Sequence, residues 1–545
     1  MKAVNIAPTF PRRYLPLRTC LLLVATAMLA GQVHAQTKTQ RADIEWGDLL
    51  DDKKDGDFRR VIDRTGDAVY QLMYSKKDGF LVQRMDLDMR PVYRKPIELE
   101  MGKDELELED VHIIGRNIVV FASSHDKRND ERNLFVKVYA AADMGPVSMY
   151  TKVARMDVES RRNRGAFNTA LSPDSSKVLL YVQKPFEKNE KDRFAVKVFD
   201  ASLSKLWEAD IEMPYTDKEF VMEEMQVDND GSVVCVGVKY ASPRERRELK
   251  RSGGVPYDYH VLVYWKGQAA PVDETIKVEG KFLQDLTLSL GKDGDILCAG
   301  FYSDKGSWSI RGTFFLRIDR VTKSIVHQSF KEFDKEFITA YMTEKEKGKA
   351  ERKAERKGEE VEMMEYDVRD IIRREDGGAL VLAEQYYWWV ETVRTTNANG
   401  TVSTRVMYHY VYNDIIVVNI APGGDIEWAA KVPKRQHSIN DAGYNSSFAA
   451  NLKGGKVHLI FNDSGSNLFL KEGDRVAQFE VTGKDALVTL VTVDEDGITH
   501  REALFSPERR DAKVCPKDCV QLVDGRTFLY ASRKKEYRFG MVTFD

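Results

Sequence analysis

The densest run of side chains able to do chemistry is EQYYWWVETVRTTNANGTVSTRVMYHYVYND, residues 384–414. Tyr386, Trp388 and Trp389 lie on one arm, Tyr408 and Tyr410 on the other, with a turn around Asn397–Gly400. Rigid aromatic rings at this density do recognition rather than bond-making, because they combine large contact area with few rotors. Consecutive aromatics on a strand must face opposite sides. Inside a sheet stack both sides would be core; beyond it, the rings become partner-binding residues. A second cluster, HSINDAGYNSS (437–447), supplies His437, Asn440, Asp441, Tyr444 and Asn445. Donors, acceptors and a ring together suit a sugar or peptide ligand. The same residue types also satisfy their own backbone in turns. Cys515 and Cys519, in CPKDC, are near enough in sequence for a disulfide if Pro516 starts a turn.

Other chemistries fail on spacing. No G-x-S-x-G nucleophile elbow and no H-E-x-x-H occurs. Asp228-Asn229-Asp230-Gly231 resembles the start of a calcium loop, but Gln226 and Gly237 stand where an EF-hand needs acids. The polar loop SHDKRNDERN (124–133) has no paired-ligand spacing. The sequence therefore assigns no catalytic residue, no metal ligand and no cofactor.

These clusters sit on a repeated frame. A tight turn launching an apolar strand, clearest in DNDGSVVCVGV (228–238), recurs in RTGDAVYQLMYS, GRNIVVFASS, SPDSSKVLLYV, GKDGDILCAGF, REDGGALVLAE, KGGKVHLIFND and VDGRTFLYAS. Each copy is followed by strand, polar turn and strand with period-two alternation, as in GTFFLRIDRVTKSIVHQSF (312–330). One four-stranded sheet cannot bury both its faces, but sheets stacked radially bury one another's. The expectation is an all-β chain, a β-propeller of eight four-stranded blades, or seven if the first or second unit is misread. The last unit stops at YRFGMVTFD (537–545), short of an outer strand, whereas ADIEWGDLL (42–50) matches GDIEWAAKV (424–432). The amino-terminal strand is thus expected to complete the carboxy-terminal blade and remove an open edge. Cys235 and Cys298 hold equivalent places in consecutive repeats, roughly 10 Å apart if the sheets stack, and read as buried thiols.

SPDSSKVLLYV resembles the turn of TolB-like propellers and of the prolyl-oligopeptidase propeller domain. VKVFDASLSKLWEADI resembles the tryptophan-docking repeat of quinoprotein-like propellers, including the outer-membrane assembly scaffold type. Trp207, Trp428 and Trp46 stand in the docking place, with the usual Gly-Lys replaced by Ser204-Lys205 or Gly424-Asp425. NDIIVVNI followed by GGDIEW is similar to secreted bacterial propellers. The resemblance implies a fold and transfers no activity.

Residues 1–35 read as a signal peptide: Arg12, Arg13 and Arg18, the apolar CLLLVATAMLA, then Val33-His34-Ala35. Residues 36–545 form the propeller, interrupted by a charged, helix-prone insertion at 333–365 and by the hairpin 384–414. The net charge is −3 with both signs interspersed, which excludes a nucleic-acid footprint, and no stretch is apolar enough for a transmembrane helix. The function expected is an exported, periplasmic or extracellular binding or assembly module for an envelope protein or glycan. The alternative is a hydrolase or lyase with a carboxylate site in the channel.

Overall fold

The structure, a computed structural model, describes residues 36–545 apart from 161–162, 186–190, 217, 253, 267, 269, 278–280, 292–294, 305–308, 320, 323, 358–360, 397–398, 400–401, 472 and 507–511. The expected signal peptide lies outside the described residues, as do Asn397, Ala398, Gly400 and Thr401 at the hairpin tip.

The repeated turn forms for local reasons. In DNDGS the Asp228 N–H donates to the Ser232 carbonyl at 2.8 Å, and the Gly231 N–H to the Asp228 carbonyl at 2.9 Å. Asp230 Oδ1 accepts from the Ser232 N–H at 2.8 Å. Gly231 sits at φ +86°, where a side chain would be strained. The strand it launches, Val233–Tyr240, is buried on both faces over its first six residues.

Strand by strand the chain is mostly β. Among the described residues seven antiparallel sheets follow in chain order, six of four strands and the sixth of five, because Gln436–Ile439 joins it. Their first strands are Asp57–Arg64, Glu107–Ile114, Ala166–Leu171, Phe220–Val227, Phe282–Leu290, Tyr366–Arg373 and Ala449–Lys453. A last, seven-stranded sheet contains the short Lys513–Val514 and Val520–Gln521, then Thr527–Arg533, Glu536–Phe544 and Ala42–Trp46, with Gln36–Lys38 beside Ala42–Trp46 and Leu50–Asp51 beside Glu536–Phe544. Ala42 pairs with Phe544 and Trp46 with Gly540. This architecture is consistent with a β-propeller.

The core is a series of apolar layers, one between each sheet and the next. Val234, Val236 and Val261 of the fourth sheet meet Leu286, Cys298 and Phe314 of the fifth. Ile44 and Trp46 share a layer with Ile460 and Leu490 of the seventh sheet. Phe58, Val69 and Met85 of the first sheet meet Phe528 and Phe539 of the last. Two indoles tie successive units: Trp207 Nε1 donates to the Gly231 carbonyl and Trp428 Nε1 to the Glu495 carbonyl, each at 2.8 Å. Trp46 instead packs edge-on against Phe505 at 5.1 Å, beneath the Arg538 guanidinium.

The first strands are stitched across sheets by carboxylates that follow a β-bulge. The register shifts just before Asp110, Glu224, Asp285 and Asp370. Asp110 takes Arg60 Nη2 at 2.5 Å from one neighbouring sheet and Thr169 Oγ1 at 2.7 Å from the other. Asp285 Oδ2 accepts from the Val368 N–H at 2.6 Å. The bulge turns Asp110, Glu224 and Asp285 toward the adjacent first strand rather than along their own sheet.

Cys515 and Cys519 are both free thiols, which corrects the disulfide considered for them. They flank the 3₁₀ turn Pro516–Asp518. The Cys515 Sγ lies 3.4 Å from Ser532 Oγ, while the Cys519 Sγ accepts from the Tyr530 N–H at 3.4 Å. Each sulfur has its own polar partner on the strand Thr527–Arg533. Cys235 and Cys298 are buried free thiols.

The segment after the fifth sheet forms a short helix, Lys335–Thr339, and a longer one, Glu344–Lys357. Phe333 stacks on Phe337 at 4.7 Å, and Phe333, Ile338 and Met363 enter the layer between the fifth and sixth sheets. On the longer helix Ala354 is buried while most of its charges face solvent.

Candidate functional site

Ala379–Thr396 and Val402–Ile420 form one hairpin of the sixth sheet, paired from Ala379↔Ile420 to Thr396↔Val402. Its lower part is blade core: Leu380, Val381, Leu382, Ile415, Ile416 and Val417 are buried. A bulge between Glu384 and Tyr386 ends that region. Beyond it Trp388 is 56 % exposed, Trp389 40 %, Val390 46 % and Tyr408 45 %.

Cross-strand register assigns the faces. Trp388 opposes Tyr410, and Val390 opposes Tyr408, on one face; Trp389 opposes His409 on the other. Among the five aromatic candidates, Tyr386 faces Tyr412 at the root, with ring centroids 4.8 Å apart. The other four lie above it.

The two sequence clusters turn out to be neighbours in part. Gln436–Ile439 adds a short strand beside His409–Tyr412. This places His437 in a stack with Trp389 and His409: centroids are 4.5 Å apart for Trp389–His409 and 5.4 Å for Trp389–His437. His409 Nδ1 lies 2.9 Å from His437 Nε2, and His409 Nε2 lies 3.0 Å from Glu391 Oε2. Partial burial, with His409 adding, pushes the His437 pKa down. Asn440 clamps Tyr408 through two bonds, its Oδ1 accepting at 2.9 Å and its N–H donating at 2.8 Å.

The rest of that cluster goes elsewhere. Asp441 closes a turn by accepting from the Gly443 N–H at 2.9 Å. Asn445 Nδ2 donates to the Val514 carbonyl at 3.1 Å. The Tyr444 hydroxyl bonds Ser532 Oγ at 3.0 Å, and Tyr444 and Asn445 line a cavity of about 370 Å³ against the last sheet. His437 and Asn440 therefore belong to the hairpin, Tyr444 and Asn445 to the last sheet. In the loop after Ser124, Asp126 accepts from Arg128 and Asn129, a self-satisfied turn.

What holds the hairpin upright was not singled out in the sequence. Glu384 and Lys434 are fully buried. Lys434 Nζ donates to Glu384 Oε1 at 2.7 Å, to the Tyr412 carbonyl at 3.0 Å and to Gln436 Oε1 at 3.1 Å. Glu384 Oε2 accepts from Ser447 Oγ at 2.8 Å and faces Arg369 Nε at 3.2 Å. A carboxylate inside the apolar run LVLAEQYY was the available signal; nothing marked Lys434 or Arg369.

Elsewhere along the first strands, Glu223 is pushed up to about 7 by partial desolvation, with Asp285 and Glu224 adding. Asp285 is pushed up to about 6 by burial, opposed by the Val368 N–H it accepts from. Among the described residues no group of His, Cys, Asp and Glu is arranged to hold a metal ion. No helix among them is long and apolar enough to cross a membrane.

No family model and no curated protein matches this sequence. Solved structures align only loosely. The WD40 domain of SCAP from fission yeast is 8 % identical over 94 % of this chain and 98 % of its own, with a TM-score of 0.39. Prolyl oligopeptidase B from Galerina marginata is 9 % identical over 90 % of this chain and 54 % of its own, at 0.36. The polysaccharide lyase Uly1 is 8 % identical over 82 % and 94 %, at 0.34. Likeness of this degree speaks to neither substrate nor partner.

Proposed function

We propose that this protein is an exported, non-catalytic binding or assembly module. In this reading the sheets form an eight-bladed ring closed by Ala42–Trp46, and the hairpin 384–414 presents aromatics to an envelope protein or glycan. One observation carries it: beyond Gln385 the hairpin leaves Trp388, Trp389, Val390 and Tyr408 exposed on both faces. Large rings held upright by a buried ion pair are preorganised for contact, which lowers the entropic cost of binding. Export is supported by the basic head and apolar core of residues 1–35, and closure by the pairing of Ala42–Trp46 with Glu536–Phe544.

The test compares Trp388→Ala and Trp389→Ala with the parent for retention of purified envelope polysaccharide and of an envelope protein fraction. The reading predicts that at least one variant keeps parental stability and loses retention. Stable variants that retain the same material as the parent would refute it. The second reading, a carboxylate hydrolase or lyase, is favoured by the raised acids Glu223 and Asp285 on neighbouring first strands. It predicts glycan or peptide cleavage that is lost in Glu223→Gln.

A further inference from the structure

The first strands also converge on a cavity that the hairpin reading leaves unused. It measures about 590 Å³, in the range that takes a small molecule. Arg64 comes from the first sheet, Arg369 from the sixth and Lys517 from the 3₁₀ turn Pro516–Asp518 within the last. Ile372, Leu382 and Phe448 supply an apolar wall.

The three cations are held differently, and each keeps donors open toward the space. Arg369 faces Glu384 through Nε, and its guanidinium sits 4.8 Å from the Tyr386 ring centre and 5.8 Å from that of Tyr412. Its terminal nitrogens make no hydrogen bond among the described residues. Lys517 Nζ donates to the Ala442 carbonyl at 2.9 Å and reaches the Tyr412 hydroxyl at 3.4 Å, leaving one of three ammonium donors. Arg64 is exposed and has no ion pair among the described residues. The wall carries one carboxylate, Asp370, whose pKa burial pushes up. Glu384 answers Arg369 from behind the wall, Arg64 is open to solvent, and burial pushes the Lys517 pKa down, so the face turned to the cavity carries more donors than acceptors.

We propose that this cavity binds an organic carboxylate with an apolar body. The carboxylate would take the Arg64, Arg369 and Lys517 donors, and the body would lie on Ile372, Leu382 and Phe448. The guanidinium–carboxylate match is charge-assisted and directional. The apolar wall distinguishes such a ligand from a bare inorganic anion.

Titration calorimetry of the full chain with octanoate, octanamide and inorganic phosphate tests this. Octanoate should bind at a single site roughly tenfold or more tighter than octanamide, the size of one charge-assisted hydrogen bond. Arg64→Gln and Lys517→Gln should each weaken octanoate by about tenfold with the melting temperature kept; Arg64→Gln carries the test if Lys517→Gln is destabilised. Equal binding of octanoate and octanamide, phosphate binding as tight as octanoate, or unchanged affinity in a stable Arg64→Gln variant would overturn the proposal.

Discussion

The two halves of one hairpin share a backbone pairing and differ in what covers them. Below the bulge at Gln385, residues 379–384 and 415–420 are aliphatic for the most part and covered on both faces. Above it, 386–396 and 402–408 carry aromatics and Thr, and most are open on both. The backbone pairing is continuous, so the difference is not one of strand formation. It is one of neighbours: flanking sheets stack on the lower half, while the upper has the short strand Gln436–Ile439 and the Asn440 clamp beside it. Buried Glu384 and Lys434 lie at the border, where a projecting lever needs a rigid root. The contrast implies that mutations will divide sharply at Gln385.

The largest break should come from removing a doubly covered strand altogether. Ala42, Ile44 and Trp46 are buried against the seventh sheet and pair with Glu536–Phe544. Deleting residues 36–50 forfeits about 1.5–3 kcal/mol for each large side chain and opens a sheet edge. Thermal melts and size-exclusion chromatography should show a lower melting temperature and aggregation. A monomeric deletion variant with parental stability would mean the strand is dispensable.

Next in size is the border itself. Lys434→Ala leaves Glu384 buried with only Ser447 and Arg369, at a cost of about 3–5 kcal/mol. Pairing it with Glu384→Leu should recover much of that loss in denaturant unfolding, because the fully buried pair goes together and the Arg369 left behind is partly exposed. A Lys434→Ala loss below about 1 kcal/mol would show the root to be wetter than the structure has it. Within the lower half, Leu382→Ala should cost about 2–5 kcal/mol, the range for a buried leucine.

Legibility in the sequence followed the same division. The turn-plus-strand repeat announced sheets because its period and its Asp-Gly turns are local properties. The partner for the truncated last unit was readable from ADIEWGDLL alone, since a missing strand and a spare one share a pattern. The aromatic arms were visible as a density of rings, but exposure depends on what stacks beside them, which no local pattern encodes. Hence His437 was grouped with Tyr444 by proximity in sequence, and the short strand Gln436–Ile439 separates them in space. The CPKDC spacing allowed a bridge, but a 3₁₀ turn gives the two sulfurs different partners on one strand. The cavity cations Arg64, Arg369 and Lys517 are far apart in sequence and carried no signal at all.

Acid should probe the covered regions with two opposed effects. His458 stacks on Phe544 at 4.1 Å, and burial pushes its pKa down to about 4 from 6.5. Its contribution is fully present above pH 6.5 and is lost as pH falls toward 4, about 2 kcal/mol by pH 5. Asp285 works the other way: raised to about 6, it binds a proton more readily in the folded chain, so it adds stability as pH drops from above 6 toward 4. The two contributions show as differences from the parent when denaturant midpoints at pH 7.5 and 5 are compared, with Glu223, raised to about 7, adding to the acid-side gain in all three proteins. Relative to the parent, acidification should shift the midpoint upward in His458→Gln and downward in Asp285→Asn. Identical profiles in all three proteins would contradict both assignments.

The smallest effects should appear above the bulge, and adjacent residues there should differ. Trp388 faces Tyr410 across the hairpin and is more than half exposed, so Trp388→Ala should stay within about 0.5 kcal/mol of the parent, as surface changes usually do. Trp389 is exposed too, but its ring lies parallel to His409 at 4.5 Å and near His437 at 5.4 Å. Losing such stacking costs about 0.5–1.5 kcal/mol beyond area. Trp389→Ala also uncovers the His409–His437 bond and the Glu391 carboxylate beside it. Trp389 should thus be the costlier of the pair, though well short of Leu382. Urea unfolding of the three single variants gives the ranking directly: Leu382→Ala, then Trp389→Ala, then Trp388→Ala. If Trp388→Ala proves as damaging as Leu382→Ala, the upper half is covered in solution and the hairpin is no lever. If Trp389→Ala and Trp388→Ala are equally mild, the ring stack is not stabilising the arm, and the buried root alone holds it.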